Sequence, residues 1–256
     1  MLAIIGGSGL TTLSNLDVSH REVVRTPYGE PSGALVFGQI SGQPAVFLPR
    51  HGYAHTIPPH MVNYRANLWA LHNCGATGII SVASVGGIRS DLQPGDIVLP
   101  HQIIDYTWGR KSTFFDGVGT PVTHVDFTEP YDDPLRCRIE AAAQALGIEL
   151  KAGAVYAATQ GPRLETAAEV NRLERDGADV VGMTGMPEAV LARELGIPYA
   201  AINVIANHAA GRASSAKGIH FESLEPVLQE AMGRVRAVIE KLVGSPDNCR
   251  PMGMSV

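Results

Sequence analysis

Ala158-Thr-Gln-Gly-Pro-Arg-Leu-Glu-Thr-Ala-Ala-Glu169 reads as a strand giving way to a helix. It follows the strand-like Ala154, Val155 and Tyr156, breaks at Gly161-Pro162, and then enters a helical pattern. The turn plants Arg163 and Glu165 at the mouth of that helix. A carboxylate held there by a rigid turn can grip the N–H groups of a ligand. Strand, turn and helix together are the repeating unit of an α/β protein, and the same unit recurs along the chain.

Short β-branched or apolar runs predict strands over residues 2–5, 34–40, 45–48, 79–83, 96–100, 154–158, 180–183 and 199–205. Helical spacing predicts helices between them. Residues 63–73 put Tyr64, Leu68 and Leu71 on one face, and 134–146 do the same with Leu135, Ile139, Ala142 and Leu146. A compact helix over 187–195 has Pro187 in its first turn and Gly196 just past its end. A last helix spans 223–243, after which 244–256 loses all periodicity and is expected to be a flexible tail. No repeat or linker interrupts residues 1–243, so the expectation is a single α/β domain with a central mixed, twisted sheet flanked by helices.

The composition agrees. The chain has 256 residues, 45% of them hydrophobic, enough for one well-buried domain, and its 28 glycines suit many tight turns. A net charge of −5 with scattered basic residues argues against nucleic acid or an anionic membrane as partner. Cys74, Cys137 and Cys249 are odd in number and far apart, which makes neither a disulfide framework nor a CxxC site and fits a reducing cytoplasm. No run has the length of a membrane span, and the short apolar start lacks the basic residues of a signal segment.

Chemistry gathers at the predicted strand ends. Gly6-Gly-Ser-Gly9 directly follows the first strand, and its backbone N–H groups with the Ser8 hydroxyl can form an anion nest. As a dinucleotide fingerprint it fails, because position 12 is Thr and no acidic residue ends a second strand at the required place. A turn that merely reverses the chain is the plain alternative. Arg50 and His51, after the strand 45–48, can both donate to a phosphate, Arg bidentately. The competing use of His51, His55 and His60 as metal ligands lacks a helical HExxH frame, since Pro58 and Pro59 forbid a helix there. Ser84-Val-Gly-Gly follows a further strand, Met183 and Thr184 close another, and Asn207 can present both an acceptor and a donor to a planar heterocycle. Met183 as core, Glu188 as first-turn helix charge and Asn207 as a local turn former are the unremarkable alternatives.

Together these pieces resemble the trimeric purine nucleoside phosphorylases and methylthioadenosine phosphorylases. The resemblance is carried in order by IIGGSGL, TPYGEPS, RHGYAH, NYRANLWAL, GGIRSDLQPGDIV, TQGPRLETAAE, GADVVGMTGMPEAVLARELGIPYA and ANHAAG, spanning residues 3 to about 243. It implies phosphorolysis: inorganic phosphate attacks C1′ of a purine nucleoside and releases free base with a pentose 1-phosphate, with no metal or other cofactor. Carried over by motif, the phosphate site is Ser8, Arg50, His51, Ser84 and Thr184, with Met183 against the ribose. Asn207, His51 and Glu165 are the implied catalytic residues. A homotrimer is implied too, with His124 of a neighbouring copy closing the sugar pocket.

Two features then separate the branches. Adenine-selective members carry Ser where Glu165 stands, and aspartates at Asn207 and Ala209. Glu165 and Asn207 together resemble the base site of the 6-oxopurine enzymes: the carboxylate accepts from N1–H, and the amide serves N7 and O6. The sugar side differs. Where ordinary purine nucleoside phosphorylases hold the 5′-hydroxyl with His, this chain has Phe221, with Leu224 one turn on and His220 adjacent, and His55 also resembles the methylthio branch. An oxopurine base site joined to a methylthio pocket implies phosphorolysis of S-methyl-5′-thioinosine to hypoxanthine and 5-methylthioribose 1-phosphate. The alternatives are a broad inosine and guanosine phosphorylase, a methylthioadenosine phosphorylase, a hydrolytic nucleosidase and a non-catalytic nucleoside binder.

Overall fold

Side-chain alternation along β1 (Leu2–Gly6) shows how the sheet is buried: Ala3 and Ile5 enter one apolar cluster while Ile4 enters another. In β4 (Gln43–Pro49), Val46 and Leu48 join the first cluster, and Ala45 and Phe47 the second. A strand buried on both faces needs a layer on each. In this computed structural model, which describes residues 1–117, 119, 121–220 and 224–245, helices supply both layers. On one side α1 (Tyr64–Asn73) contributes Leu68 and Leu71, and α4 (Gly185–Glu194) contributes Ala189 and Leu191. On the other, α2 (Asp133–Ala145) and α5 (Leu224–Gly244) bring Leu135, Ile139, Val235 and Val238. Each fully buried Leu or Ile is worth about 1.5–3 kcal/mol of transfer free energy. A third, smaller cluster seats Val170 and Leu173 of α3 (Ala167–Arg175).

The remaining strands are β2 (Asp17–Glu22), β3 (Leu35–Ile40), β5 (Gly78–Gly87), β6 (Ile97–Asp105), β7 (Leu150–Ala158), β8 (Val180–Gly182) and β9 (Tyr199–His208). The sheet is mixed, ordered β2-β3-β4-β1-β5-β8-β7-β6-β9, and β5 also pairs with β9. That extra pairing closes β5, β8, β7, β6 and β9 into a ring, with β5 parallel to β9 and β6 antiparallel to it. A central mixed sheet flanked by helices is what the sequence predicts.

Three local differences have physical causes. Strand β2 escaped the sequence because all six of its residues are exposed at the sheet edge, leaving no apolar run to find. The Ser84-Val-Gly-Gly and Ala206-Asn stretches are not turns: β5 continues to Gly87 and β9 to His208, paired with a register shift between Val85 and Gly86 that sets Gly86 opposite Asn207. Pro58 and Pro59 do not exclude helix outright, since a single 3₁₀ turn runs Pro59–Met61 with proline at its start. Beyond Ser245 the expected tail lies outside the described residues, and Gly244 itself closes α5. Among the described residues, no helix is long and apolar enough to cross a membrane.

Candidate functional site

The carboxyl ends of β1, β4, β7 and β8 and the bulged region of β5 and β9 converge on a cavity of about 580 Å³. It is lined by Ser8, Arg50, His51, His55, Ser84, Glu165, Met183, Thr184 and Asn207, so the fold brings nine of the expected site residues together. His124 is exposed on the segment after residue 120 and does not line it. Phe221 lies outside the described residues, as does the side chain of Leu224. Ile219 and Leu228, which the sequence did not single out, contribute apolar wall.

One end of the cavity is built on the turn after β1. Gly7 has no room for a side chain: a Cβ there would stand 2.6 Å from Arg50 Nη1 and 2.7 Å from the Val82 carbonyl. The Arg50 N–H donates to the Gly6 carbonyl at 2.8 Å, which ties the ends of β1 and β4 together. Arg50 is fully buried and meets Glu188 bidentately, Nε to Oε2 at 2.7 Å and Nη2 to Oε1 at 2.9 Å. Burial alone would depress the guanidinium, but the Glu188 carboxylate outweighs it and holds Arg50 firmly charged. Glu188 is thus no first-turn surface charge. It is a buried counterion, hidden from sequence reading because its partner lies 138 residues away.

His51 also departs from expectation. Its Nδ1 is 2.8 Å from the Ile57 carbonyl, which only accepts, so Nδ1 carries the proton. Burial first, and the Arg50 charge second, push its pKa down to about 4. At neutral pH His51 therefore offers a lone pair on Nε2, not the N–H the sequence suggested. The unfolded chain takes up this proton below about pH 6.5, whereas the folded one resists until about pH 4. His51 contributes stability above that window, lost as pH falls through it. Melting temperature followed from pH 7 to 4 is expected to fall less steeply for His51→Asn than for the natural chain; equal slopes would count against this source.

His55, expected beside the 5′ group, places Nε2 3.0 Å from Ser8 Oγ and its ring 4.9 Å from that of His51. It holds a left-handed φ of 53°, uncommon for a non-glycine residue. Thr184, at the start of α4, is buried with its N–H 3.3 Å from Tyr156 Oη.

The opposite end is organised by the turn that opened the sequence. Thr166 caps α3, accepting from the Glu169 N–H at 3.1 Å while Glu169 accepts from the Thr166 N–H at 2.8 Å, a capping box. Arg163, with its Nη2 2.7 Å from Glu169, belongs to this cap and not to the ligand side. Thr166→Ala is expected to cost about 1 kcal/mol in urea unfolding, and no loss would show the box to be idle. Glu165 immediately precedes it and accepts from Thr159 Oγ1 through Oε1 at 2.6 Å, leaving Oε2 for a ligand. Asn207 donates from Nδ2 to the His208 carbonyl at 2.6 Å, which leaves Oδ1 and one N–H uncommitted by that bond. Gly161, at φ 61°, brings the turn against Met183, and a Cβ there would collide with its sulfur.

Arg110, which the sequence did not single out, fastens these turns together. Nη1 donates to the carbonyls of Met183 at 2.7 Å and Met186 at 2.6 Å, and Nη2 to that of Gln160 at 2.8 Å. Nothing local in the sequence marks such a carbonyl clamp. Among the described residues no group of three or more His, Cys, Asp or Glu is placed to hold a metal ion.

Residues 1–244 match the family model described as the phosphorylase superfamily. The chain belongs to that superfamily. Within it, relatives include a probable S-methyl-5′-thioinosine phosphorylase from Pseudomonas syringae pv. tomato, 48% identical over 243 residues covering 95% of this chain and 98% of that one. The 6-oxopurine nucleoside phosphorylase of Pyrococcus furiosus is 42% identical over 243 residues, 93% of this chain and 90% of that one. Methylthioadenosine phosphorylase from Schistosoma mansoni, solved in complex with adenine, superposes with a TM-score of 0.89 at 32% identity, covering 94% of this superfamily member and 90% of that chain.

Proposed function

We propose that this protein catalyses phosphorolysis of S-methyl-5′-thioinosine to hypoxanthine and 5-methylthioribose 1-phosphate. The observation that carries the reading is one cavity holding both the Glu165–Asn207 pair and the donor set Ser8, Arg50, Ser84 and Thr184. At the base end, Glu165 Oε2 accepts from N1–H of hypoxanthine. Adenine presents a lone pair at N1 and would face the carboxylate repulsively, and Ala209 offers no second acid for its amino group. As the base departs with the electron pair, N7 takes a proton from solvent; Asn207 Oδ1 accepts from the N7–H so formed and its remaining N–H serves O6, taking up charge that develops only as the bond to C1′ breaks.

At the other end, phosphate lies in the nest after β1, under C1′, with His51 accepting from a phosphate hydroxyl. The new C1′–O bond forms as C1′–N9 breaks, and the electron pair leaves with the purine. Ile219 and Leu228 support an apolar 5′ pocket, which suits a methylthio group and leaves a hydroxyl unpaired. The S-methyl-5′-thioinosine relative at 48% identity supports the same substrate. The active assembly on this reading is a homotrimer, with exposed His124 closing a neighbour's sugar pocket.

Steady-state kinetics on methylthioinosine, inosine, guanosine and methylthioadenosine, with and without phosphate, test it. A higher kcat/KM for methylthioadenosine than for methylthioinosine overturns the base-site assignment. Equal values for inosine and methylthioinosine favour the broad 6-oxopurine reading, which the Pyrococcus relative supports and which differs only at the 5′ wall. Base release without phosphate would indicate a hydrolase. Light scattering tests the trimer, and loss of nucleoside affinity in His124→Ala tests the shared pocket.

A further inference from the structure

The geometry points to Glu188 as a positioning residue for phosphate, acting through Arg50. The inference rests on the reading that Arg50 faces phosphate, and it concerns how that guanidinium is aimed. Arg50 has five N–H donors. Nε–H and one Nη2–H go to Glu188, the second Nη2–H to Ser81 Oγ at 2.6 Å, and one Nη1–H to the Val82 carbonyl at 3.0 Å. Four are thus held by the protein. The fifth sits on Nη1, the nitrogen that Gly7 admits to the turn after β1. The bidentate edge of Arg50, which the sequence assigned to the anion, is spent on a carboxylate instead.

That carboxylate is itself locked. Glu188 Oε1 accepts from Ser81 Oγ at 2.7 Å and from Tyr199 Oη at 2.9 Å, and Glu188 is fully buried. Burial first, and the Glu188 charge next, hold the Tyr199 hydroxyl protonated far above its ordinary range, so it stays a donor. A guanidinium pinned on four sides cannot swing toward solvent, and its one free N–H is aimed before phosphate arrives. The pair is formally neutral, so this arginine serves phosphate as a directed N–H more than as a bare charge.

The test is initial-rate kinetics of the whole protein with phosphate and nucleoside varied separately, for the natural chain, Glu188→Gln and Tyr199→Phe. Glu188→Gln is expected to raise the phosphate KM about tenfold or more, with the nucleoside KM within about twofold, and Tyr199→Phe to raise it less. A lowered melting temperature with the phosphate KM unchanged in both variants would overturn the inference and leave Glu188 a structural counterion. Where Glu188→Gln does not fold, Tyr199→Phe and Ser81→Ala decide by the same split. Absence of phosphate-dependent base release from the natural chain would instead sink the functional reading, a result distinct from either.

Discussion

Arg50→Met is expected to lower stability by about 3–5 kcal/mol and to abolish measurable phosphorolysis. The size follows from what remains behind. Methionine fills much of the volume but leaves the Glu188 carboxylate fully buried with only the Ser81 and Tyr199 hydroxyls as partners. An uncompensated buried charge is what makes breaking such a pair costly, even where the pair itself adds little net stability. At roughly 2–4 °C per kcal/mol for a chain of this size, the melting temperature should drop by about 6–20 °C. The double variant Arg50→Met, Glu188→Met separates folding from function. It is expected to recover much of the lost melting temperature, because no charge is stranded, while phosphorolysis stays absent. Recovery of activity in the double variant would remove Arg50 from the phosphate site.

Glu165→Gln is expected to lower kcat/KM on the 6-oxopurine nucleoside by a factor of about 10–100, with little change in melting temperature. A hydrogen bond to a charged group is worth about 1.5–3 kcal/mol, and at about 1.4 kcal/mol per decade that gives the stated range. Stability should largely hold, because Glu165 is only half-buried in the cavity lining and its partner Thr159 can still donate to an amide oxygen. The sharper readout is selectivity. A glutamine amide can donate to adenine N1 where the carboxylate repelled it, so the ratio of methylthioadenosine to methylthioinosine turnover should rise. A ratio unchanged from the natural chain would mean that Glu165 does not read N1.

These expectations combine two kinds of information. Local chemistry was legible wherever one short segment contains both the turn and the functional group. The turn before α3 shows this: the Gly-Pro break and Glu165 lie within a few residues of each other, while the Thr166–Glu169 capping box beside them emerged only in the structure. The fully buried stretches of the interior strands were equally plain, because burial on both faces demands continuous apolar runs, whereas the less buried residues 101–105 of β6 and 150–153 of β7 were missed. The edge strand β2 was not, since exposure removes that demand. Nor was the continuation of β5 and β9 through their glycine and asparagine residues, which depends on pairing between segments about 120 positions apart.

Alone, the sequence determined the α/β layering, the Gly-rich turn after β1, the turn that carries Glu165, and the residue types that line the cavity. Periodicity, turn chemistry and capping act over a few residues and are therefore written locally. Only the tertiary structure decided which of those groups are free to act. It committed four of the five Arg50 N–H groups to Glu188, Ser81 and Val82, turned His51 into an acceptor through the Ile57 carbonyl, tied His55 to Ser8, and fastened the turns at Gln160 and Met183 with Arg110. Those outcomes depend on burial and on hydrogen-bond partners brought together across the fold. Where a donor's proton is already spent is a property of three-dimensional neighbours, which no local pattern records.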